Sequence, residues 1–226
     1  MNKCFNQKIV NIDLGGTLID RKCNGPVLAM RKTFLQYGFT KITKTDIRQD
    51  MGLPKLQHIR NLFQLKQSQE LKPDIMDFYK KYEENQLNVL EKNRESTKLV
   101  VGATHLIQFL RDNKIKICLT TGYNRLMLDA ILKSLNSQGF VPDFDISSSE
   151  ASSRQEMNEK CCLQFNTTNA IAIGDTLQDA RGARTAGLGF IGISGTCCKM
   201  EEFRQVGANF IIPDISHVAK LLQDIF

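Results

Sequence analysis

The sequence has no tryptophan, no apolar run of about 18 residues and no charged-then-apolar leader, so neither a membrane span nor a secretory signal is read and a cytoplasmic protein is expected. Seven cysteines are present, including the adjacent pairs Cys161-Cys162 and Cys197-Cys198, but they form an odd set without a CxxC spacing. That excludes the usual zinc pattern and fits a reduced compartment, with most thiols acting as small core residues. No block of like charge occurs either. The formal charge of +6 suits an anionic substrate, yet the basic residues are scattered among acids, so nucleic acid is not indicated. Internal repeats and low-complexity tracts are missing as well.

What remains is an ordinary globular composition, with 42% hydrophobic and 24% charged residues over 226 positions. That is enough for a medium domain with a sizeable insertion, or for two small domains. Short β-rich runs occupy 8–13, 115–120, 170–173 and 190–193, with a last strand near Phe210. Helical patterns fall between them, at 102–113, 124–137, 155–165 and 176–186, and one from Pro213 closes the chain. Strand alternating with helix predicts an α/β fold with a doubly wound parallel sheet. The segment 21–98 breaks that rhythm and reads as an all-helical insertion. Pro26 opens one of its helices and Pro54 another, and Ile75, Phe78, Tyr79, Tyr82, Leu87 and Leu90 recur on one face of a third. The expected division is a core of 1–20 and 99–226 with a helical domain of 21–98.

Ligands of such sheets sit beyond the carboxyl ends of the strands. There the chain places Asp13 after the first strand, Thr121-Gly122-Tyr123 after IKICLT, and Gly174-Asp175-Thr176 after AIAI, with Asp179 four residues beyond Asp175. Acids from two strand ends can share a hard cation such as magnesium, and Thr121 with nearby backbone amides can hold phosphate oxygens. Together DLGGT, TTG and GDTLQD resemble the motifs of the haloacid dehalogenase-like phosphotransferases, whose Rossmann-like core and nucleophilic aspartate would make Asp13 the attacking group. DLGGT also resembles the phosphate loop of sugar-kinase and actin-like ATPases. That architecture needs two similar domains and a second glycine-rich adenosine segment, which is not found.

The common phosphatases of the family carry a second aspartate two positions after the nucleophile, as general acid and base. Here that position is Gly15, whose carbonyl can still bind magnesium. Three readings follow: a dead enzyme, a binding module, or an enzyme whose leaving group is not an alkoxide. MGLPKLQHIR at 51–60 favours the last, because it resembles the cap motif of the phosphonatases, the phosphonoacetaldehyde hydrolases. In that family a lysine at the position of Lys55 forms a Schiff base with the substrate aldehyde, and the second aspartate is also lacking. The resemblance extends through TTGYNRLML, GFVPDF and GDTLQDARGARTAGL, to at least Leu188.

The resemblance implies catalytic roles for Asp13, Lys55 and His58, and a magnesium site of Asp13, the Gly15 carbonyl and Asp175 supported by Asp179. It implies a small phosphonate substrate contacted by Thr121, Tyr123, Cys23 and Met51, and a homodimer formed through a cap with aromatics at Phe78, Tyr79 and Tyr82. An imine beside the carbon–phosphorus bond takes up the electrons of cleavage as a neutral enamine, so no acid is needed at Gly15. Lys55 must be partly neutral to attack, which the first turn of a helix and desolvation both favour. His58, three residues on, shares its face and could shuttle protons. The family's GRP-type stretch is replaced by SSSEASSRQEMNE, one residue shorter and without the prolines, which leaves Arg154 as the candidate cation. A phosphonatase-like hydrolase of another substrate, or a degenerate ligand-binding member, is the alternative.

Overall fold

The computed structural model describes residues 7–65, 73–92, 94–195 and 198–225; Cys197, the first six residues of the expected core, and residues 66–72 and 93 of the helical segment lie outside them. Strands β1 (Ile9–Asp13), β2 (Lys116–Thr120), β3 (Phe144–Ile146), β4 (Ala170–Gly174), β5 (Gly189–Ile193) and β6 (Phe210–Ile212) form one parallel sheet in the order β3-β2-β1-β4-β5-β6. Every residue of β1 and β4 is buried, as expected of central strands covered on both faces. The strand order reverses between β1 and β4, which opens the crevice of a doubly wound sheet just beyond Asp13 and Gly174. The single sheet leaves no second similar domain among the described residues for the ATPase reading.

Helices cover both faces. On one, α5 (Ala103–Asp112), α6 (Arg125–Ser137) and α10 (Val218–Ile225) pack Leu106, Leu110, Ile131, Leu135 and Leu222 on Val10, Ile12, Ile117 and Ile173. On the other, α7 (Arg154–Gln164) packs Met157 and Cys161 on Ile9 and Cys118, while α8 (Leu177–Thr185) and α9 (Met200–Gln205) cover Ala172 and Phe190. Because side chains alternate along a strand, Ile9, Asn11 and Asp13 all point to the α7 side. A buried hydrogen bond from Asn11 Nδ2 to Asn158 Oδ1, 2.9 Å, ties β1 to α7 there.

Strand β3 was not read from the sequence, nor was the short α9. Phe144 and Asp145 are only half-buried, so three residues with an acid at their centre carry no apolar period; pairing of Cys118, Leu119 and Thr120 with 144–146 makes the strand.

Between β1 and β2 lie α1 (Asn24–Gln36), α2 (Lys44–Gln49), α3 (Lys55–Leu65) and α4 (Ile75–Lys92). They enclose a separate apolar cluster in which the rings of Phe34, Phe63 and Phe78 meet tilted or edge-to-face, with centroids 4.7–5.3 Å apart. Phe78 and Tyr82 are fully buried in the chain's own packing, and Tyr79 faces a cavity below. Of the aromatics expected at a dimer face, Phe78 and Tyr82 are therefore spent within one chain.

Candidate active site

The turn after β1 is built for close approach. Gly16 has φ +93°, and a Cβ there would stand 2.3 Å from Asp175 Oδ2 and 2.8 Å from Cys23 Sγ, so only glycine fits. A Cβ at Gly174 would likewise meet the Asp179 side chain at 2.6–2.7 Å. These clearances let Asp13, Asp175 and Asp179, all buried, bring one oxygen each to within 4.8 Å of one another. Thr17, the last residue of DLGGT, donates its hydroxyl to Asp175 Oδ1 at 3.4 Å. Asp179 uses both oxygens: Oδ2 accepts from Thr176 Oγ1 (2.6 Å) and Thr176 N (3.1 Å), capping α8, and Oδ1 pairs with Arg154 Nε at 3.0 Å.

Arg154 opens α7, whose N-cap Ser153 accepts from Glu156 N. Its Nη2 lies 2.6 Å from Asp13 Oδ1, so one guanidinium, its side chain 14% exposed, bridges the first and third acids. The preceding loop lacks prolines and is held by hydrogen bonds instead: Glu150 accepts from Ser147 N (2.7 Å) and pairs with Arg125 (2.8 Å).

Three carboxylates against one cation leave the cluster short of positive charge. Burial above all, with the Asp179 charge adding to it, raises the Asp13 carboxyl to about 7, although Arg154 pulls the other way. All-oxygen donors in a buried, anionic cluster fit a hard dication such as magnesium, toward which Asp13, Asp175 and Asp179 each offer one carboxylate oxygen.

A cavity of about 470 Å³ opens over this cluster. Asp13, Gly15, Thr121, Tyr123 and Arg154 line it from the sheet side, and Cys23, Met51 and Lys55 from the helical segment. Asp13 is the only carboxylate among the described lining residues. Lys55 is the first residue of α3, half-buried, just after Pro54. Cys23 Sγ sits 3.7 Å from the Gly15 carbonyl, and the Tyr123 ring lies 3.4 Å from where a Gly15 Cβ would be. Tyr123 is itself buried, which pushes its phenol well up and keeps the hydroxyl protonated. The helical segment rests on the core: a Cβ on Gly52 would meet the Thr176 side chain at 2.9 Å.

Asp175 and Asp179 lie beneath the lining, and His58 lies behind it. His58 is fully buried, with no hydrogen-bond partner of good geometry at either ring nitrogen, and burial, then the Lys55 charge, lowers it from 6.5 to about 3. One wall went unread in the sequence. Gln178, Arg181, Gly182 and Thr185, on one face of α8, face the cavity; their helical spacing was visible, but nothing in it separated a cavity face from a solvated one.

A family model described as haloacid dehalogenase-like hydrolase matches residues 10–193. The phosphonoacetaldehyde hydrolases of Bacillus mycoides and Bacillus cytotoxicus are 30% and 27% identical over 201 and 200 residues, each covering 81% of this chain and 74% of the relative. A phosphonoacetaldehyde hydrolase-like protein from Oleispira antarctica shares the fold with a TM-score of 0.83 at 21% identity, covering 97% of this chain and 92% of its own.

Two measurements follow from the electrostatics. Magnesium at 100 times its dissociation constant stabilises by about 2.7 kcal/mol, so Tm should rise by roughly 5–10 °C in the wild type and far less in Asp175→Asn. No magnesium-dependent shift in the wild type would contradict the site. His58 titrates lower in the folded chain than in the unfolded one, so its contribution to stability is intact above pH 6.5 and is lost as pH falls toward 3. Denaturation of His58→Leu across that window should show a shallower loss than the wild type; parallel curves would mean that the imidazole is not buried as described.

Proposed function

Because the chain belongs to the haloacid dehalogenase-like hydrolases, we propose that it hydrolyses the carbon–phosphorus bond of phosphonoacetaldehyde to acetaldehyde and phosphate. The supporting observation is a cavity whose described lining offers a single carboxylate, Asp13, and the Lys55 amine, with Tyr123 over the place where a second acid would stand. Such a site lacks the acid that an alkoxide leaving group needs, and it holds the amine that a carbon leaving group needs.

In the proposed sequence, Lys55 adds to the aldehyde and loses water to give a protonated imine. Asp13 then attacks phosphorus; the carbon–phosphorus electron pair moves into the imine, leaving a neutral enamine and an aspartyl phosphate. Protonation of the enamine at carbon regenerates an imine, whose hydrolysis frees acetaldehyde and Lys55, and water releases phosphate from Asp13. Magnesium, when bound by Asp13, the Gly15 carbonyl and Asp175, supplies the charge that lets an anionic phosphonate approach a carboxylate. Arg154 neutralises the same pair of anions, and Thr121 receives phosphonate oxygens. Cys23, Met51 and Tyr123 surround the aldehyde end. His58 stays neutral behind Lys55 and would act through that amine, not on substrate.

The segment 21–98 is proposed as a cap domain hinged near 20–22 and 96–98. Asp20 fixes the first hinge by accepting from Asn24 N (2.9 Å) and Gly25 N (2.7 Å) at the start of α1. A dimer, if formed through the cap, must use surface other than Phe78 and Tyr82. None of the described helices is long and apolar enough to cross a membrane. A longer phosphonoaldehyde is the second reading, because 470 Å³ falls in the range of about 300–1,000 Å³ typical of sites for drug-sized ligands.

Borohydride reduction during turnover, followed by peptide mass analysis, tests the proposal. We expect an alkylated Lys55 with phosphonoacetaldehyde, and none in Lys55→Arg or without substrate. Modification spread over surface lysines, or absent, would contradict it; labelling of Lys55 only by longer phosphonoaldehydes would favour the second reading.

A further inference from the structure

Gly182 lies in the middle of α8, between Ala180 and Ala183, where glycine weakens a helix and alanine would strengthen it. Its reason lies across the helix pair. A Cβ at 182 would stand 2.4 Å from Arg154 Cβ, 2.8 Å from the Arg154 carbonyl carbon and 2.9 Å from Gln155 N. Non-bonded carbons keep about 3.5–4.0 Å, and two of the three atoms met are backbone of the first turn of α7, so no rotamer change relieves the contact. The start of α7 would have to retreat by about 1 Å. Further along, α7 is held to β1 through Asn158 and Asn11 at 2.9 Å, so the retreat falls on the first turn, where Arg154 sits.

We propose that Gly182 is a positioning residue: its missing side chain sets the separation of α7 and α8 at which Arg154 bridges Asp13, 2.6 Å away, and Asp179, 3.0 Å away. The inference rests on the reading of Asp13 as the centre of an anion-binding site, but not on which bond the enzyme cleaves. A phosphoryl or phosphonyl group entering beside Asp13 meets a guanidinium held at both ends, and displacement of that group by 1 Å is enough to weaken transition-state and product binding alike.

Calorimetric binding of inorganic phosphate to the magnesium-loaded chain tests this through a double-mutant cycle, with Tm read for each variant. Gly182→Ala should weaken phosphate binding by about tenfold or more, and Arg154→Ala by at least as much. The double variant should bind no more than about twofold worse than Arg154→Ala alone, because both changes remove the same contact. Losses that add, unchanged affinity in Gly182→Ala, or a Gly182→Ala chain that does not fold would each overturn the proposal, the last by showing that Gly182 holds the fold and not the arginine. A wild type that binds no phosphate would remove the Asp13-centred reading as well, whereas phosphate binding without cleavage of phosphonoacetaldehyde would leave the Gly182 inference standing and remove only the proposed substrate.

Discussion

The bridge from Arg154 to Asp13 and Asp179 is the interaction on which the rest of the site depends. Burying Asp13 at the end of β1, with Asp179 beside it, disfavours its ionised form, and the raised Asp13 carboxyl records that cost, burial above all. One guanidinium, fixed at both ends, makes the cluster tolerable without filling it. The surroundings serve that placement. The period of two along β1 aims Asp13 at α7, Ser153 starts α7 where Arg154 is needed, and the Asn11–Asn158 hydrogen bond keeps helix and strand in register.

The architecture was legible where periodicity is strong. Buried runs such as IVNID and AIAIG announce central strands whatever their partners, and 21–98 stood out as helical because it breaks the alternation. Strand β3 escaped because it is made by its neighbour and not by its own residues. Motifs at strand ends named Asp13, Thr121, Asp175 and Asp179, since topology fixes what lies beyond a carboxyl end. The direction of a helix face could not be read in the same way: Arg181 and Thr185 carry no local mark of a cavity, and the need for Gly182 becomes visible only when α7 is laid against α8. His58 shows the opposite limit. Its spacing from Lys55 is as the sequence promised, yet burial places the ring behind the cavity wall.

Gly15 joins these observations to chemistry. The Tyr123 ring lies 3.4 Å from where a Gly15 Cβ would be, so an aromatic face and a protonated phenol, not a second carboxylate, stand over the turn after Asp13. In the proposed reaction, a nucleophile without a neighbouring acid suits a leaving group that needs an electron sink, and Lys55 is the amine among the cavity's described lining residues assigned to provide one.

Parallel assay of acetaldehyde and phosphate released from phosphonoacetaldehyde by the magnesium-loaded chain tests the central claim most directly. Equal molar release of both products by the wild type is expected, with loss of both in Asp13→Ala. Phosphate released from simple phosphate esters with no acetaldehyde from phosphonoacetaldehyde would contradict it.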